Sequence, residues 1–223
     1  MKLAKSLLSH FALAGIGSLA FATLTPLPTV AAPGITVQAS FAADGSNGAT
    51  PLAALTAAGN GIYYGTTSNG GASGNGAIFA FNSATGSITL KDSFSGSSNG
   101  ANPAAALTAA GNGIYYGTTS NGGANGNGAI FAFDSATGSI TLKDSFSGSI
   151  GVNPQAALTA AGNGIYYGTT RGGGANGNGT IFSFNSTTGS ITLNASFAAG
   201  GSNGSISLAA LTAAGNGLYY GTT

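Results

Sequence analysis

Short apolar segments alternate with glycine- and serine-rich ones along most of the chain. The clearest is residues 87–94, "SITLKDSF", where large apolar residues alternate with polar ones at the period of two of a half-buried strand. Residues 62–67, "IYYGTT", and 77–82, "AIFAFN", carry the aromatic and β-branched residues common in strands. Residues 53–58, "AALTAA", would also suit a short helix, but the short gap before the next strand favours a strand. In chain order these segments are named a, b, c and d.

The connections within the pairs a–b and c–d are tight. "GNG" separates a from b, and "SATG" separates c from d. Asparagine and glycine adopt positive φ angles at little cost, as short turns between antiparallel strands require. We therefore predict two β-hairpins, with the longer b–c and d–a loops together at the opposite end of the strands.

This four-segment unit is repeated. Residues 63–94 recur as residues 115–146 with two residues changed, a third copy begins at Tyr166, and a fourth stops at Thr223. The second tyrosine of each "YYGTT" and the phenylalanine that ends the next segment d are always 30 residues apart, and only the d–a segment varies in length. Four antiparallel strands with one variable loop, in about 50 residues, are typical of a β-propeller blade.

We predict an all-β, β-propeller-type tandem repeat with three blades and part of another. Segment a, rich in alanine, is expected to form the crowded strand nearest the central axis, and large residues of b, c and d should fill the space between blades. A β-solenoid with two rungs per repeat is the alternative, which the unequal segment lengths and the hairpin turns disfavour. The predicted domain, residues 35–223, divides into a d strand at 35–41, repeats at 42–94, 95–146 and 147–197, and a partial repeat at 198–223.

The first 32 residues have the layout of a secretory signal peptide. Two lysines precede an apolar stretch, and small residues offer cleavage sites after Ala22 or Ala32. The alternative, an uncleaved membrane anchor, is disfavoured because the uninterrupted apolar run, residues 11–24, is shorter than the roughly 20 residues of a spanning helix. We expect a secreted or cell-surface protein whose mature chain does not insert into a membrane.

Charge is scarce after residue 32. Three cationic and four acidic side chains remain, a net charge of −1, with no histidine, cysteine or glutamate. Nucleic-acid binding needs clustered lysine and arginine, so it is not expected. Stability must come from packing and backbone hydrogen bonds, because no disulfide can form.

Catalysis is not expected from these residues either. General acid–base chemistry needs a group that titrates near neutral pH or paired carboxylates, and a serine nucleophile would have no base. Asp134 occupies the position of Asn82, where a side chain caps the c–d turn. The pairs Lys91–Asp92 and Lys143–Asp144 are interpreted as solvated strand ends. No cofactor is predicted, and no metal site, since asparagine carbonyls seldom hold calcium without carboxylates.

The b–c and d–a loops are the remaining candidates for function. They are rich in asparagine, serine and glycine and nearly uncharged, which suits the hydroxyl groups of carbohydrates; the alternative is that they are only soluble connectors. The candidate ligand-binding residues in the b–c loops are Asn69, Asn75, Asn121, Asn127, Arg171, Asn176 and Asn178.

The run "YGTTSNGGANGNGAIFAF", followed by "SF", resembles the GloVer-type tandem repeat of bacterial exported proteins, as does the later "NGANP". That repeat has a "YGTT…GG…G…G-T-[IV]-F" core, and its members end in different surface anchors. The resemblance covers residues 35–223 and implies a bacterial extracellular or surface protein of propeller type with no established catalytic activity. Neither residue 223 nor the segment before it resembles an anchor, so we expect the natural chain to continue.

Three functions are compatible with these features. The first is a non-catalytic exported scaffold for surface adhesion or assembly, with weak glycan binding through the b–c and d–a loops. The second is a fragment of a larger secreted propeller enzyme whose catalytic residues lie outside this chain. The third is a structural protein that binds itself through open blade edges.

Overall fold

The computed structural model describes residues 37–198, 200 and 203–223. All of them belong to the unit Val37–Thr223. The predicted signal peptide, residues 1–32, lies outside the described residues, and so do the first two residues of the d strand predicted at 35–41.

Each complete repeat forms one four-stranded antiparallel sheet, with its strands side by side in the order a, b, c, d. This confirms the all-β, propeller-type architecture of three blades and part of another. The solenoid alternative is wrong, because the strands of one repeat pair with each other in hairpins. Blade 1 contains β1 (Thr56–Gly59), β2 (Ile62–Thr67), β3 (Ala77–Asn82) and β4 (Ser87–Ser93); blade 2 contains β5 (Thr108–Gly111), β6 (Ile114–Thr119), β7 (Ala129–Asp134) and β8 (Ser139–Ser145); blade 3 contains β9 (Thr159–Gly162), β10 (Ile165–Thr170), β11 (Thr180–Asn185) and β12 (Ser190–Ser196); a last hairpin contains β13 (Thr212–Ala213) and β14 (Tyr219–Tyr220).

The hairpin turns follow the predicted chemistry. Asn60 and Gly61, between β1 and β2, have φ angles of 51° and 75°, the paired positive values of a type I′ turn. At the c–d turn, Asn82 Oδ1 accepts a hydrogen bond from the backbone N–H of Ala84 at 2.9 Å. Asp134 Oδ1 accepts the equivalent bond at 2.8 Å, which confirms that its role is to cap the turn.

Strand a is shorter than predicted. The prediction placed it at residues 53–58, whereas β1 begins at Thr56, where pairing with Tyr64 starts. The residues before it do not extend the ladder because Leu55 lies over Gly65 of strand b, within 2.7 Å of where a Cβ at Gly65 would be. Most residues of β1 are exposed, so the expected crowding of this strand is not observed.

The d strand predicted at residues 35–41 is also corrected. Residues 37–41 form no strand, because no c strand of a preceding blade is described with which they could pair. Phe41 nevertheless occupies the place of a d-segment phenylalanine. It packs edge-to-face on Phe79 at 4.9 Å, as Phe94 does on Phe131.

The core lies between neighbouring blades. Tyr64 on strand b of blade 1 packs edge-to-face on Tyr115 at 5.2 Å and on Phe133 at 4.9 Å, both in blade 2. Tyr116 makes the same two contacts with blade 3. The large residues of b, c and d therefore fill the space between blades, as predicted, and each blade depends on its neighbours for burial.

Threonine side chains join the blades through hydrogen bonds. The Thr66 hydroxyl of blade 1 donates to the carbonyl oxygen of Ala105 in blade 2 at 3.1 Å, and Thr56 donates to that of Leu107 at 2.7 Å. Thr118 and Thr108 repeat both bonds to blade 3. The sequence showed these threonines only as repeated strand residues.

An aspartate links the d strands of neighbouring blades. Asp92 Oδ2 accepts a hydrogen bond from the backbone N–H of Ile140 in the next blade at 2.7 Å, and its Oδ1 accepts one from Ser93 at 2.8 Å. Asp144 bonds Ile191 in the same way. The interpretation of these aspartates as solvated strand ends is therefore wrong.

We expect Asp92→Ala to lower the free energy of unfolding by about 1.5 kcal/mol, because it leaves two backbone N–H groups without an acceptor. Urea unfolding followed by circular dichroism measures the loss. Lys91→Ala changes the adjacent exposed residue and should leave stability within about 0.5 kcal/mol. Equal effects of the two substitutions would contradict a linking role for Asp92.

Candidate functional site

The longer loops lie together at one end of the strands and are named the long-loop face. It comprises the b–c loops, residues 68–76, 120–128 and 171–179, and the d–a loops, residues 95–107 and 147–158. Each d–a loop pairs with the b–c loop that follows it, as Ala101 does with Asn121 in an antiparallel bridge. Each also reaches the b–c loop before it: the Asn102 N–H donates to the Asn75 carbonyl at 2.8 Å.

Asparagine side chains continue this linkage from blade to blade. Asn121 Nδ2 donates to Asn102 Oδ1 at 3.1 Å, and Asn153 Nδ2 donates to Asn121 Oδ1 at 3.2 Å. Asn153 Nδ2 also reaches the carbonyl oxygen of Ser120 at 2.8 Å. Side-chain amides thus form a chain of hydrogen bonds across the three blades, which holds the loops in one arrangement.

The structure places all seven predicted residues on this face, where they do different work. The side-chain amides of Asn69, Asn121, Asn176 and Asn178 make hydrogen bonds within the loops. Asn75 and Asn127 are half-buried, and their backbone carbonyls accept hydrogen bonds from the next d–a loop. The guanidinium of Arg171 belongs to an exposed residue.

Sequence reasoning missed Asn102 and Asn153, the two residues that connect the amide chain. Both have positive φ angles, 54° and 52°, and both precede a proline. The "NP" dipeptide was the available signal, because asparagine is the non-glycine residue that best tolerates this conformation. The equivalent positions Thr50 and Ile206 hold β-branched residues at similar φ angles of 59° and 54°.

We expect Asn102→Ile to lower the free energy of unfolding by about 1–2 kcal/mol, because a β-branched residue is strained at positive φ and cannot make the amide bonds. Asn102→Gly relieves the strain but also loses the bonds, so its loss should be smaller. Urea unfolding of both variants separates the two contributions. Equal losses would show that the strain contributes nothing.

Ionisable groups are few on the described surface. Burial raises the pKa of Tyr115 and Tyr166, and the neighbouring tyrosine of the preceding blade adds to each shift. These phenols therefore stay neutral well above neutral pH and serve packing. At the exposed Asp44, a hydrogen bond from the Ser46 backbone N–H, 2.9 Å long, lowers the pKa of the carboxyl group.

Within residues 37–198, 200 and 203–223, no cluster of three or more histidine, cysteine, aspartate or glutamate side chains is placed to hold a metal ion. The same residues contain no helix long and apolar enough to cross a membrane.

Two cavities open on the described surface away from the asparagine chain. One of about 410 Å³ lies against blade 1 and is lined mainly by apolar residues, among them Leu55, Phe79 and Phe81. Another of about 260 Å³ lies beside the last hairpin, where Phe197 and Tyr219 contribute to its walls.

Blades joined by aromatic contacts and by an amide chain define a repeat scaffold. The sequence model of the Gloeobacter/Verrucomicrobia repeat matches residues 27–223, and the chain belongs to this repeat family. This confirms the resemblance to the GloVer-type repeat. A comparison with curated proteins gave no match.

Solved structures with similarity to the chain include three proteins. A nidogen/laminin complex has 14% identity and a TM-score of 0.47 and covers 68% of this chain and 48% of its own. TolB from Acinetobacter baumannii has 21% identity and a TM-score of 0.40 and covers 59% of this chain and 29% of its own. A putative 6-phosphogluconolactonase from Bacteroides uniformis has 22% identity and a TM-score of 0.40 and covers 61% and 38%. The chain thus spans less than half the length of each.

Proposed function

We propose that the protein is a non-catalytic, exported bacterial scaffold that acts in surface adhesion or assembly by binding neutral glycans weakly through its long-loop face. The observation that carries this proposal is the chain of asparagine hydrogen bonds across three blades. A face held in one arrangement by its own amides needs little ordering when a ligand binds, which favours recognition by many weak contacts.

The charge of the face supports a neutral ligand. Its b–c and d–a loops contain one cation, Arg171, and the preceding residues 42–50 contribute Asp44. Uncharged hydroxyl groups match amide and serine donors and acceptors without the cost of burying a charge. Binding through such contacts should be insensitive to salt.

Export is supported by the N-terminal residues. Two lysines, a short apolar stretch and small residues at two cleavage points form the layout of a secretory signal. A secreted or surface location would place the long-loop face where it can meet extracellular polysaccharides.

A glycan array carrying neutral and acidic oligosaccharides tests the proposal with the full chain. Retention on neutral oligosaccharides should be equal at low and high NaCl. The double substitution Asn75→Ala and Asn127→Ala should reduce this retention at least tenfold without lowering the melting temperature, because the loop bonds of these residues use backbone carbonyls.

Thr137→Ala is the matched control, since Thr137 is exposed in the c–d turn at the opposite end of the strands. It should leave retention unchanged. Binding only to acidic oligosaccharides, loss of binding at moderate salt, or no retention of any neutral glycan would overturn the proposal.

A further inference from the structure

Blade 1 has an exposed apolar surface that is covered in blades 2 and 3. We name it the leading groove; it is lined by Val37, Phe41, Leu55, Phe79, Phe81 and Ile88. The difference in cover is measured by the leucine of segment a. Leu55 is 45% exposed, whereas the equivalent residues Leu107 and Leu158 are each 4% exposed.

The cover in blades 2 and 3 comes from strand b of the preceding blade. Tyr64 is 7% exposed because it packs on Tyr115 and Phe133 of blade 2. Ile62, two residues earlier on the same strand, packs against the same cluster. In blade 1 the residues equivalent to that receiving pair are Tyr63 and Phe81, both only half-buried.

The last hairpin presents the same b-strand surface without a described partner. Tyr220 is equivalent to Tyr64, and Leu218 is equivalent to Ile62. Tyr220 is 63% exposed and Leu218 is 52% exposed. The described chain therefore carries both halves of an inter-blade contact, one on blade 1 and one on β14, and neither half is buried.

We propose that the leading groove of one copy binds the last hairpin of a second copy, with Tyr220 placed against Tyr63 and Phe81 as Tyr64 is against Tyr115 and Phe133. The interface continues the blade-to-blade packing that the chain already makes twice. This inference is independent of glycan binding, because it uses a different surface.

The two surfaces differ, so the contact is heterologous. Copies joined in this way form a ring if the rotation closes and a growing chain if it does not. The patch that the hairpin offers is small, which predicts a weak and concentration-dependent association. No charged residue lines the leading groove or occurs in residues 207–223, so salt should not disperse the assemblies.

The test measures the mass of the full chain by light scattering after size exclusion, from micromolar to millimolar concentration. The mass should rise with concentration, equally at low and high salt. Leu55→Lys should abolish the rise by placing a charge in the groove, and Tyr220→Lys should abolish it from the hairpin. Both side chains are substantially exposed, so melting temperatures should stay close to that of the parent protein.

Mixing the two variants gives the sharper result. The Leu55→Lys variant keeps an intact hairpin and the Tyr220→Lys variant keeps an intact groove, so an equimolar mixture should form dimers that grow no further. Leu193→Lys, at a residue 40% exposed on β12 and outside both surfaces, should associate like the parent. Should Leu55→Lys fail to fold, Val37→Lys replaces it, since Val37 is 81% exposed.

Three outcomes would overturn the proposal. A monomeric mass at every concentration would mean that no second copy fills the groove, whether or not residues 1–36 do. Association that persists in both lysine variants would place the interface elsewhere. Failure of the mixture to form dimers, when each variant is folded and monomeric, would exclude the heterologous contact.

Discussion

Replacing Phe133 with alanine is expected to lower the free energy of unfolding by about 3–5 kcal/mol, the usual loss for a fully buried phenylalanine. The Phe133 side chain is 0% exposed and lies between blades 1 and 2. It packs edge-to-face on Tyr64 at 4.9 Å and lies 6.2 Å from Tyr115 in its own blade. Its removal opens a cavity in the cluster that joins the two blades, and urea unfolding followed by circular dichroism measures the cost.

The same register in blade 1 supplies the control for this prediction. Phe81 occupies the equivalent position in strand c but is only half-buried, because it lines the leading groove. Phe81→Ala should therefore cost about 1–2 kcal/mol. If Phe81→Ala proved as costly as Phe133→Ala, burial between blades would not be the main source of stability.

The sequence predicted the strands because its repeat is written in period-two segments and sharp turns. Strands b and c were placed without error at residues 62–67 and 77–82, where apolar residues and glycines mark both ends. Strand a was misplaced because "AALTAA" carries no signal for the residue at which pairing begins. That residue is set by Leu55 lying on Gly65, a contact between elements.

The site was only partly predictable, for a related reason. The sequence located the asparagine-rich loops at one end of the strands, and the structure places all seven candidates there. It could not show that Asn121 is held between Asn102 and Asn153, because these contacts join residues of different repeats. The role of Asp92 was hidden in the same way, since its partner Ile140 is 48 residues away.

Glycine in "YYGTT" is required by a close approach that the sequence does not show. At Gly117 a Cβ atom would clash with Phe131 Cζ, and it would lie 2.9 Å from Phe131 Cε1 and 3.1 Å from Leu107 Cδ2. Phe131 cannot move aside easily, because its ring is 0% exposed and packs on Phe94 at 4.9 Å. We expect Gly117→Ala to lower the free energy of unfolding by about 3 kcal/mol through overpacking of the sheet face.

Gly148→Ala is the matched control for Gly117→Ala. Gly148 is exposed, has no positive φ, and a Cβ there would meet nothing within 4 Å. It should leave stability within about 0.5 kcal/mol or raise it slightly, since alanine restricts the unfolded chain. The double variant Gly117→Ala and Phe131→Leu then identifies the cause. It should recover part of the loss if the ring is the obstacle, whereas a further loss would show that the close approach to Phe131 is not what requires glycine.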